Sequence, residues 1–187
     1  MGKIILDMSM SLDGFISAPN HSPEEPLGTG GQRLQEWLAD MGAYAEVLDQ
    51  EVSGCGAVIM GRRTYDFSLE WWAGKGPVGD VPCFVLSHTV PEKVGSVFTF
   101  VTGGIESALK KARALAGEKS IGLMGANTQQ QFIRAGLVDE IHINLVPVLL
   151  GAGIRLFEHL GTEPIELENI RVIESPGVTH LGFRVSK

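Results

Sequence analysis

Cysteine is nearly missing from this chain: Cys55 and Cys83 are the two among 187 residues. Two thiols make neither a disulfide framework nor a metal-ligand cluster. The five histidines (His21, His88, His142, His159, His180) show no H-x-x-x-H spacing, so no zinc or other metal is expected. Basic residues are outnumbered, 15 against 22 acidic ones, for a net charge of -7. Phosphate backbones need a basic face, so nucleic acid is not an expected partner. No apolar run approaches the length that spans a membrane, and MGKIILDMSM lacks a signal peptide's apolar core and cleavage site. Neither G-x-G-x-x-G nor a Walker A pattern occurs, which excludes a standard Rossmann fingerprint and a P-loop. The remaining composition, 44% hydrophobic and 20% charged, is that of a globular protein. Its length suits one domain over residues 1–187 with a full-sized core. A cytoplasmic, reduced, metal-free protein is the expectation.

The most informative stretch runs from Ser120 to Asn144. Ile121, Leu123 and Met124 form an apolar run too short for a helix, and Gly125 lets the backbone turn sharply. Asn127 or Thr128 suits the N-cap of a following helix whose apolar side is Phe132, Ile133 and Leu137, and Gly136 stops it. Ile141, Ile143 and Leu145 alternate with His142 and Asn144, which predicts a strand. A strand feeding a helix through a small-residue turn presents free N–H groups and the positive helix end to an anion.

Lys3 to Met10 reads as the first strand, with Asp7 and Ser9 opposite the Leu6 and Met8 face. An unpartnered buried carboxylate is costly, so Asp7 should meet a partner or a ligand. Ser11-Leu12-Asp13-Gly14 turns the chain, and Ala18 to Gly31 is a Pro/Gly/acidic loop with the length of a functional lid. Leu34, Trp37, Leu38, Met41, Ala45, Leu48 and Val52 keep helical spacing and predict one long helix over Gln32 to Val52, with Glu36, Asp40, Glu46 and Asp49 mostly on its polar side. Ala57 to Met60 is a buried strand ending in Gly61-Arg62-Arg63-Thr64. Two arginines at a helix start oppose the dipole unless an anion sits there. Cys83 to Leu86 and Val97 to Val101 are further strands, ending in Ser87-His88 and Gly103. Ligands of open α/β sheets bind at the carboxyl ends of strands, and Gly61, Ser87, Gly103 and Gly125 all mark such ends. Ile154 to Phe157 reads as a short helical turn. Ile165 to Glu174 and Val178 to Ser186 read as a hairpin across Pro176-Gly177.

Five segments, in order, carry a family resemblance. They are Ser11-Leu12-Asp13-Gly14, Val58 to Tyr65, Val85-Leu86-Ser87-His88, Gly136 to Glu140 and Pro147 to Gly151. The chain resembles the dihydrofolate reductase-like superfamily, closest to the reductase domain of the bifunctional riboflavin-biosynthesis deaminase–reductase and its stand-alone relatives. The resemblance implies a three-layer α/β fold with a mixed, mostly parallel sheet of about eight strands and an antiparallel C-terminal hairpin. It implies an NADPH-dependent reductase of a pyrimidine- or pteridine-like small molecule, most like 5-amino-6-(5-phosphoribosylamino)uracil. Dihydrofolate, the unassigned substrate of a stand-alone relative, and non-catalytic nucleotide binding are the alternatives. By position, Gly61, Arg62, Arg63 and Thr64 look like the cradle of the adenosine 2′-phosphate. Leu86, Ser87 and His88 look like the adenine side, and Met124, Gly125, Ala126, Asn127 and Thr128 the pyrophosphate turn. The family often has two adjacent glycines in that turn; Met124 replaces the first here and leaves less room for backbone approach. Ser9 and Ile16 should meet the nicotinamide carboxamide. Asp7, Asp13 and Trp37 are the substrate-side candidates, and Glu36, Asp40 and Asp7 the candidate proton-side carboxylates. Family habit implies a homodimer. The deaminase half's zinc ligands have no counterpart.

Overall fold

Strand β1 (Ile4–Ser11) runs through the middle of an eight-stranded sheet, and the rest of the chain is arranged about it. The computed structural model describes residues 2–186. After β1 come β2 (Phe15–Ser17), α1 (Ala45–Gly54), β3 (Cys55–Gly61), α2 (Arg62–Ser68), β4 (Cys83–Leu86) and β5 (Phe98–Val101). Then follow α3 (Gly104–Ala116), β6 (Ser120–Met124), α4 (Ala126–Arg134), β7 (Glu140–Val146), β8 (Ile154–Arg155), β9 (Leu167–Ser175) and β10 (Val178–Val185). The sheet order is β5-β4-β3-β6-β1-β7-β10-β9. Neighbours from β5 to β7 are parallel, while β7–β10 and β10–β9 are antiparallel. The last pair closes across Pro176-Gly177 with Val178 opposite Ser175, the hairpin that the sequence predicts.

Side-chain alternation decides which face each strand turns to which layer. Ile4, Leu6, Ile59, Ile121, Leu123, Ile141 and Ile143 pack under α3 and α4, where Ala108, Ala112 and Phe132 complete the main core. The opposite face is covered in two pieces. Tyr65 of α2 covers Val58, Met60, Val85, Phe98 and Phe100 on one half. Leu34, Trp37 and Tyr44 cover Val146 and Val178 on the other. Between these two patches, Ile5, Asp7 and Ser9 of β1, with Gly122 and Met124 of β6, are only half-buried. A central strand of a covered parallel sheet is ordinarily apolar and buried on both faces. This gap is therefore a cleft.

Two expectations are corrected. The predicted helix over Gln32 to Val52 is three pieces: 3-10 segments Gly31–Ala39 and Gly42–Tyr44, then α1. The break lies at Gly42 (φ +52), where a Cβ would come within 3.1 Å of Pro176 Cδ. Ser175 Oγ donates to Met41 O at 2.9 Å, so the chain bends there to seat on the hairpin turn. The bend resets the helical phase after it: Leu48 stays inward as expected, but Val52 ends up exposed, as does Leu38 before the bend, while Tyr44 and Glu51 turn inward. Second, Ile154-Arg155 is not a helical turn but strand β8, antiparallel to β2. Leu156 N donates to Gly14 O at 3.1 Å, and Arg155 Nη1 donates to Asp13 O at 3.0 Å, so the segment hangs from the turn after β1.

Asp13 organises that turn. Its carboxylate accepts from Ser11 Oγ (2.6 Å), Leu150 N (3.1 Å) and Gly151 N (2.7 Å). The hydrogen bond from Ser11, opposed by some desolvation and helped by the two amides, holds its pKa down at about 2. The carboxyl is thus ionised and clamps the loop from Pro147 to Gly151 through charge-assisted hydrogen bonds. Replacing Asp13 with Ala should speed amide hydrogen exchange at Leu150 and Gly151 while leaving Ile121 and Leu123 in the core unchanged. Equal acceleration everywhere would show that Asp13 matters to the whole fold rather than to this loop.

Candidate active site

Three strand ends, two of them leading into helices, meet along one sheet edge. Gly61 pairs with Leu86, and Met60 with Met124, so the carboxyl ends of β4, β3 and β6 lie side by side. Parallel strands make this unavoidable, because every strand end then faces the same way. The turns after β3 and β6 interlock. A Cβ on Gly125 (φ +86) would meet Thr64 Oγ1 at 2.5 Å, and one on Gly61 would meet Thr128 Oγ1 at 3.2 Å. Each glycine thus makes room for the other turn's threonine, and the backbones of both helix starts approach closely. Gly61 to Thr64, Leu86 to His88 and Met124 to Thr128, to which the resemblance gives the 2′-phosphate, adenine and pyrophosphate of one coenzyme, are brought together.

Details within the cradle differ from expectation. Neither Asn127 nor Thr128 caps α4; Gly125 holds that position without a side-chain bond. Asn127 Oδ1 instead accepts from Gln131 Nε2 (2.6 Å), and Thr128 is buried against Gly61. Arg62 donates from Nε to both oxygens of Asp66 (2.8 and 2.9 Å), one turn on. Arg63 is exposed and lies over the Phe67 ring at 5.2 Å. Ser87 Oγ donates to Thr89 O (2.7 Å), and His88 is exposed. The loop after β2 reaches this place too, with His21 edge-on to Phe67 at 6.1 Å. That loop is stitched to itself: Ala18 N donates to Leu27 O (2.8 Å) and Thr29 N to Pro19 O (3.0 Å).

The cleft floor is polar. Ser9 Oγ accepts from Trp37 Nε1 at 3.0 Å, which seats the buried Trp37 ring beside β1. Ile16 is buried in β2. Asp7 Oδ1 accepts from Asn144 Nδ2 (2.9 Å), and Asn144 Oδ1 accepts in turn from His180 Nδ1 (2.7 Å). The His180 ring stacks on Tyr44 at 3.7 Å. Burial, then Arg171, lowers the His180 pKa to about 4, so its ring is neutral at pH 7. Glu51 of α1 reaches down from the helix layer. It accepts from Tyr44 Oη (2.7 Å) and Arg171 Nη2 (2.7 Å), and faces His142 Nδ1 at 3.0 Å. His142 Nε2 faces Glu140 at 3.3 Å, and Glu140 pairs with Lys3 at 2.7 Å.

The two cleft carboxyls respond oppositely to this surrounding. Burial alone would raise Glu51, but the bonds from His142, Tyr44 and Arg171 outweigh it and bring its pKa to about 2. Burial and then the Glu51 charge raise Asp7 to about 6; His142, Asn144 and Arg171 offset only part of this. Asp7, Glu51 and His142 bring ligand atoms within 4.8 Å of one another. Arg171 at 2.7 Å from Glu51 already supplies the cation there.

Of the candidate carboxylates, Asp7 lies in the cleft, whereas Glu36 and Asp40 are exposed. Asp13 is engaged by backbone amides. Sequence reasoning missed Glu51, Glu140, His142, Asn144, Arg171 and His180 as site groups. The signal was present for two of them: His142 and Asn144 alternate with apolar residues, yet β7 has partners on both sides, so their shared face points into the cleft.

The opposite shifts generate a stability prediction. A carboxyl with raised folded-state pKa contributes most below its unfolded value of 3.8, and that contribution is lost as pH rises through 6. Asp7→Asn should therefore raise the melting stability at pH 7.5 by about 1–3 kcal/mol and change it little at pH 4. Glu51 has the reverse sign: its contribution is present above 4.5 and lost as pH falls through 2. A second prediction concerns the interlock. Gly125→Ala should destabilise by about 1–3 kcal/mol through strain at positive φ and the Thr64 contact, with partial recovery in the Gly125→Ala/Thr64→Ala double variant. Additive losses in the double variant would contradict the contact.

Comparison with known proteins agrees with this fold. The RibD C-terminal domain family matches residues 2–179. The uncharacterised protein YwjB of Bacillus subtilis (strain 168) is 26% identical over 164 residues, covering 86% of each chain. A structure assigned to riboflavin biosynthesis from Shewanella sp. PV-4 superimposes over the whole of both chains with a TM-score of 0.77 at 23% identity. Dihydrofolate reductase of Enterococcus faecalis, solved with NADP(H), superimposes over all of this chain and 98% of its own, with a TM-score of 0.61 at 12% identity. These likenesses bear out the dihydrofolate reductase-like fold, and with residues 2–179 matched, the chain belongs to the RibD C-terminal domain family.

Proposed function

We propose that this protein is an NADPH-dependent reductase of a small, flat nitrogen heterocycle, most like 5-amino-6-(5-phosphoribosylamino)uracil, working as one domain. The observation that carries the reading is the interlocked pair of turns, Gly61 against Thr128 and Gly125 against Thr64, beside a half-buried polar cleft. The residues fit the coenzyme. Close-approaching glycine turns leave backbone N–H groups available to a pyrophosphate, and Met124 and Gly125 sit at that bend. Arg62, Arg63 and Thr64 supply charge and donors for a 2′-phosphate. Leu86, Ser87 and His88 lie next along the edge for the adenine. Ser9 and Ile16 flank the place for the nicotinamide. Bound NADPH would supply the hydride; the protein supplies binding, orientation and a water-poor floor. The dihydrofolate reductase of Enterococcus faecalis was solved with NADP(H) on the same fold, which supports a nicotinamide coenzyme.

We also propose a homodimer. Leu149 and Phe157 are exposed, and edge strand β9 adds Leu167, Ile170 and Val172. Exposed apolar surface is a common mark of interfaces. Light scattering at micromolar concentration should give twice the chain mass; a monomer mass would remove the proposal.

The coenzyme test uses charge. Arg62→Ala with Arg63→Ala should weaken NADPH binding by about ten- to a thousand-fold, at roughly 1.4 kcal/mol per tenfold. NADH lacks the phosphate and should lose much less. Equal losses by calorimetry would make the arginines structural, Arg62 through Asp66 and Arg63 through Phe67.

A further inference from the structure

Two carboxyl groups under one cleft can divide the labour of proton chemistry when their surroundings differ. Asp7 and Glu51 meet that condition by geometry. Their oxygens lie within 4.8 Å of each other, so two full negative charges there repel. The donors are unequally shared. Glu51 has Tyr44 Oη, Arg171 Nη2 and His142 Nδ1 around it. Asp7 accepts one side-chain hydrogen bond among the described residues, from Asn144 Nδ2. Donors stabilise the anion, so the negative charge settles on Glu51 and the proton on Asp7. Asp7 also stands where it can be used. It is on the central strand, half-buried rather than sealed, and two residues before Ser9, which places them about 7 Å apart on the same face.

We propose that Asp7 is the proton donor of the reduction and that Glu51, held by Tyr44, Arg171 and His142, is the positioning anion that keeps Asp7 protonated. This rests on the reductase reading above. The substrate bond reduced is a polarised C=N: the imine formed when the ribosylamino group of 5-amino-6-(5-phosphoribosylamino)uracil opens, or the ring C=N of dihydrofolate. Its carbon accepts the hydride, the π electrons move to nitrogen, and nitrogen takes the proton from the Asp7 carboxyl. Asp7 is left as carboxylate and is reprotonated from solvent through the open side of the cleft. The charged and titratable groups facing Asp7 are Glu51 on α1, Tyr44 on the second 3-10 segment, His142 and Glu140 on β7, Arg171 on β9 and His180 on β10. Its shift to about 6 agrees with the geometric assignment. The donor thus comes from the first strand of the sheet, not from the helix layer, where the carboxylate Glu51 is committed to its three partners.

Carbon-13 NMR of labelled aspartate carboxyls, with Asp7→Asn identifying the signal, tests the protonation without any substrate. Asp7 should titrate near pH 6, and Glu51→Gln should move that titration toward the ordinary value of about 4. Turnover is measured with NADPH and two probes, 5-amino-6-(5-phosphoribosylamino)uracil and dihydrofolate. Asp7→Asn should lower kcat by about 100-fold or more, flatten the pH profile around 6 and leave NADPH affinity unchanged. An Asp7 signal that titrates near 4 in the native protein overturns the proposal, as does an Asp7→Asn variant with native turnover and pH profile. If neither probe is reduced, the NMR titration decides alone. Absent NADPH binding with Asp7 titrating near 6 would remove the coenzyme reading and leave Asp7 as the proton-bearing group of the cleft.

Discussion

The structure depends on how the Glu51 charge is held between two layers. Its carboxylate ties α1 to the sheet through Arg171 of β9 and His142 of β7, and to its own layer through Tyr44. A charge removed from water costs several kcal/mol unless donors replace the lost hydration. Three donors do so here. They also fix where the helix layer sits, which fixes the width of the cleft. Tyr44 stacks on His180, Arg171 lies over Tyr44 at 5.3 Å, and Asn144 links His180 to Asp7. The helix layer is therefore held over β1, β7 and β10 by polar contacts as much as by Leu34, Trp37 and Val146. Apolar packing could have filled this space more stably. The raised Asp7 pKa means that its ionised form costs stability at neutral pH, a cost that the proposed role of Asp7 would explain.

The other constraint is topological. Parallel neighbours from β5 to β7 send every strand end to one edge. There the chain needs sharp turns in close quarters, and two of them share one space. At Gly125 Thr64 Oγ1 takes the place of a Cβ, and at Gly61 a Cβ would crowd Thr128 Oγ1. The cradle and the polar floor are thus adjacent parts of one cleft, the first built by backbone and the second by side chains. The first suits an extended anionic ligand lying along the edge. The second suits a compact polar ligand lying over β1.

Much of this was legible in the residues. The hairpin at Pro176-Gly177, the turn glycines, the apolar strands and the ordered segments that mark the family follow from local signals that nothing distant overrides. The cradle at Gly61 to Thr64 and Met124 to Thr128 was legible for the same reason, since each half is a contiguous segment. The polar floor was not. Its members come from β1, α1, β7, β9 and β10, and no spacing in the sequence links Asp7 to Glu51 or Arg171. The inward position of Glu51 was hidden further by Gly42, where the bend onto Pro176 changes the helical phase and exchanges Val52 for Glu51 on the inner side. Ile154-Arg155 was misread because two residues give no period; their pairing with β2 is decided by the turn at Asp13 and Gly14. Local rules therefore located the turns, and tertiary charge pairing brought the polar floor together.

The central claim is that both interlocked turns bind one coenzyme. Amide hydrogen exchange with and without NADPH measures this most directly. The account predicts increased protection at Gly61 to Thr64 and at Gly125 to Thr128 together, over the same range of NADPH concentration, with smaller changes from NADH at the first turn. Protection confined to one turn, or absent from both at saturating NADPH, would contradict it.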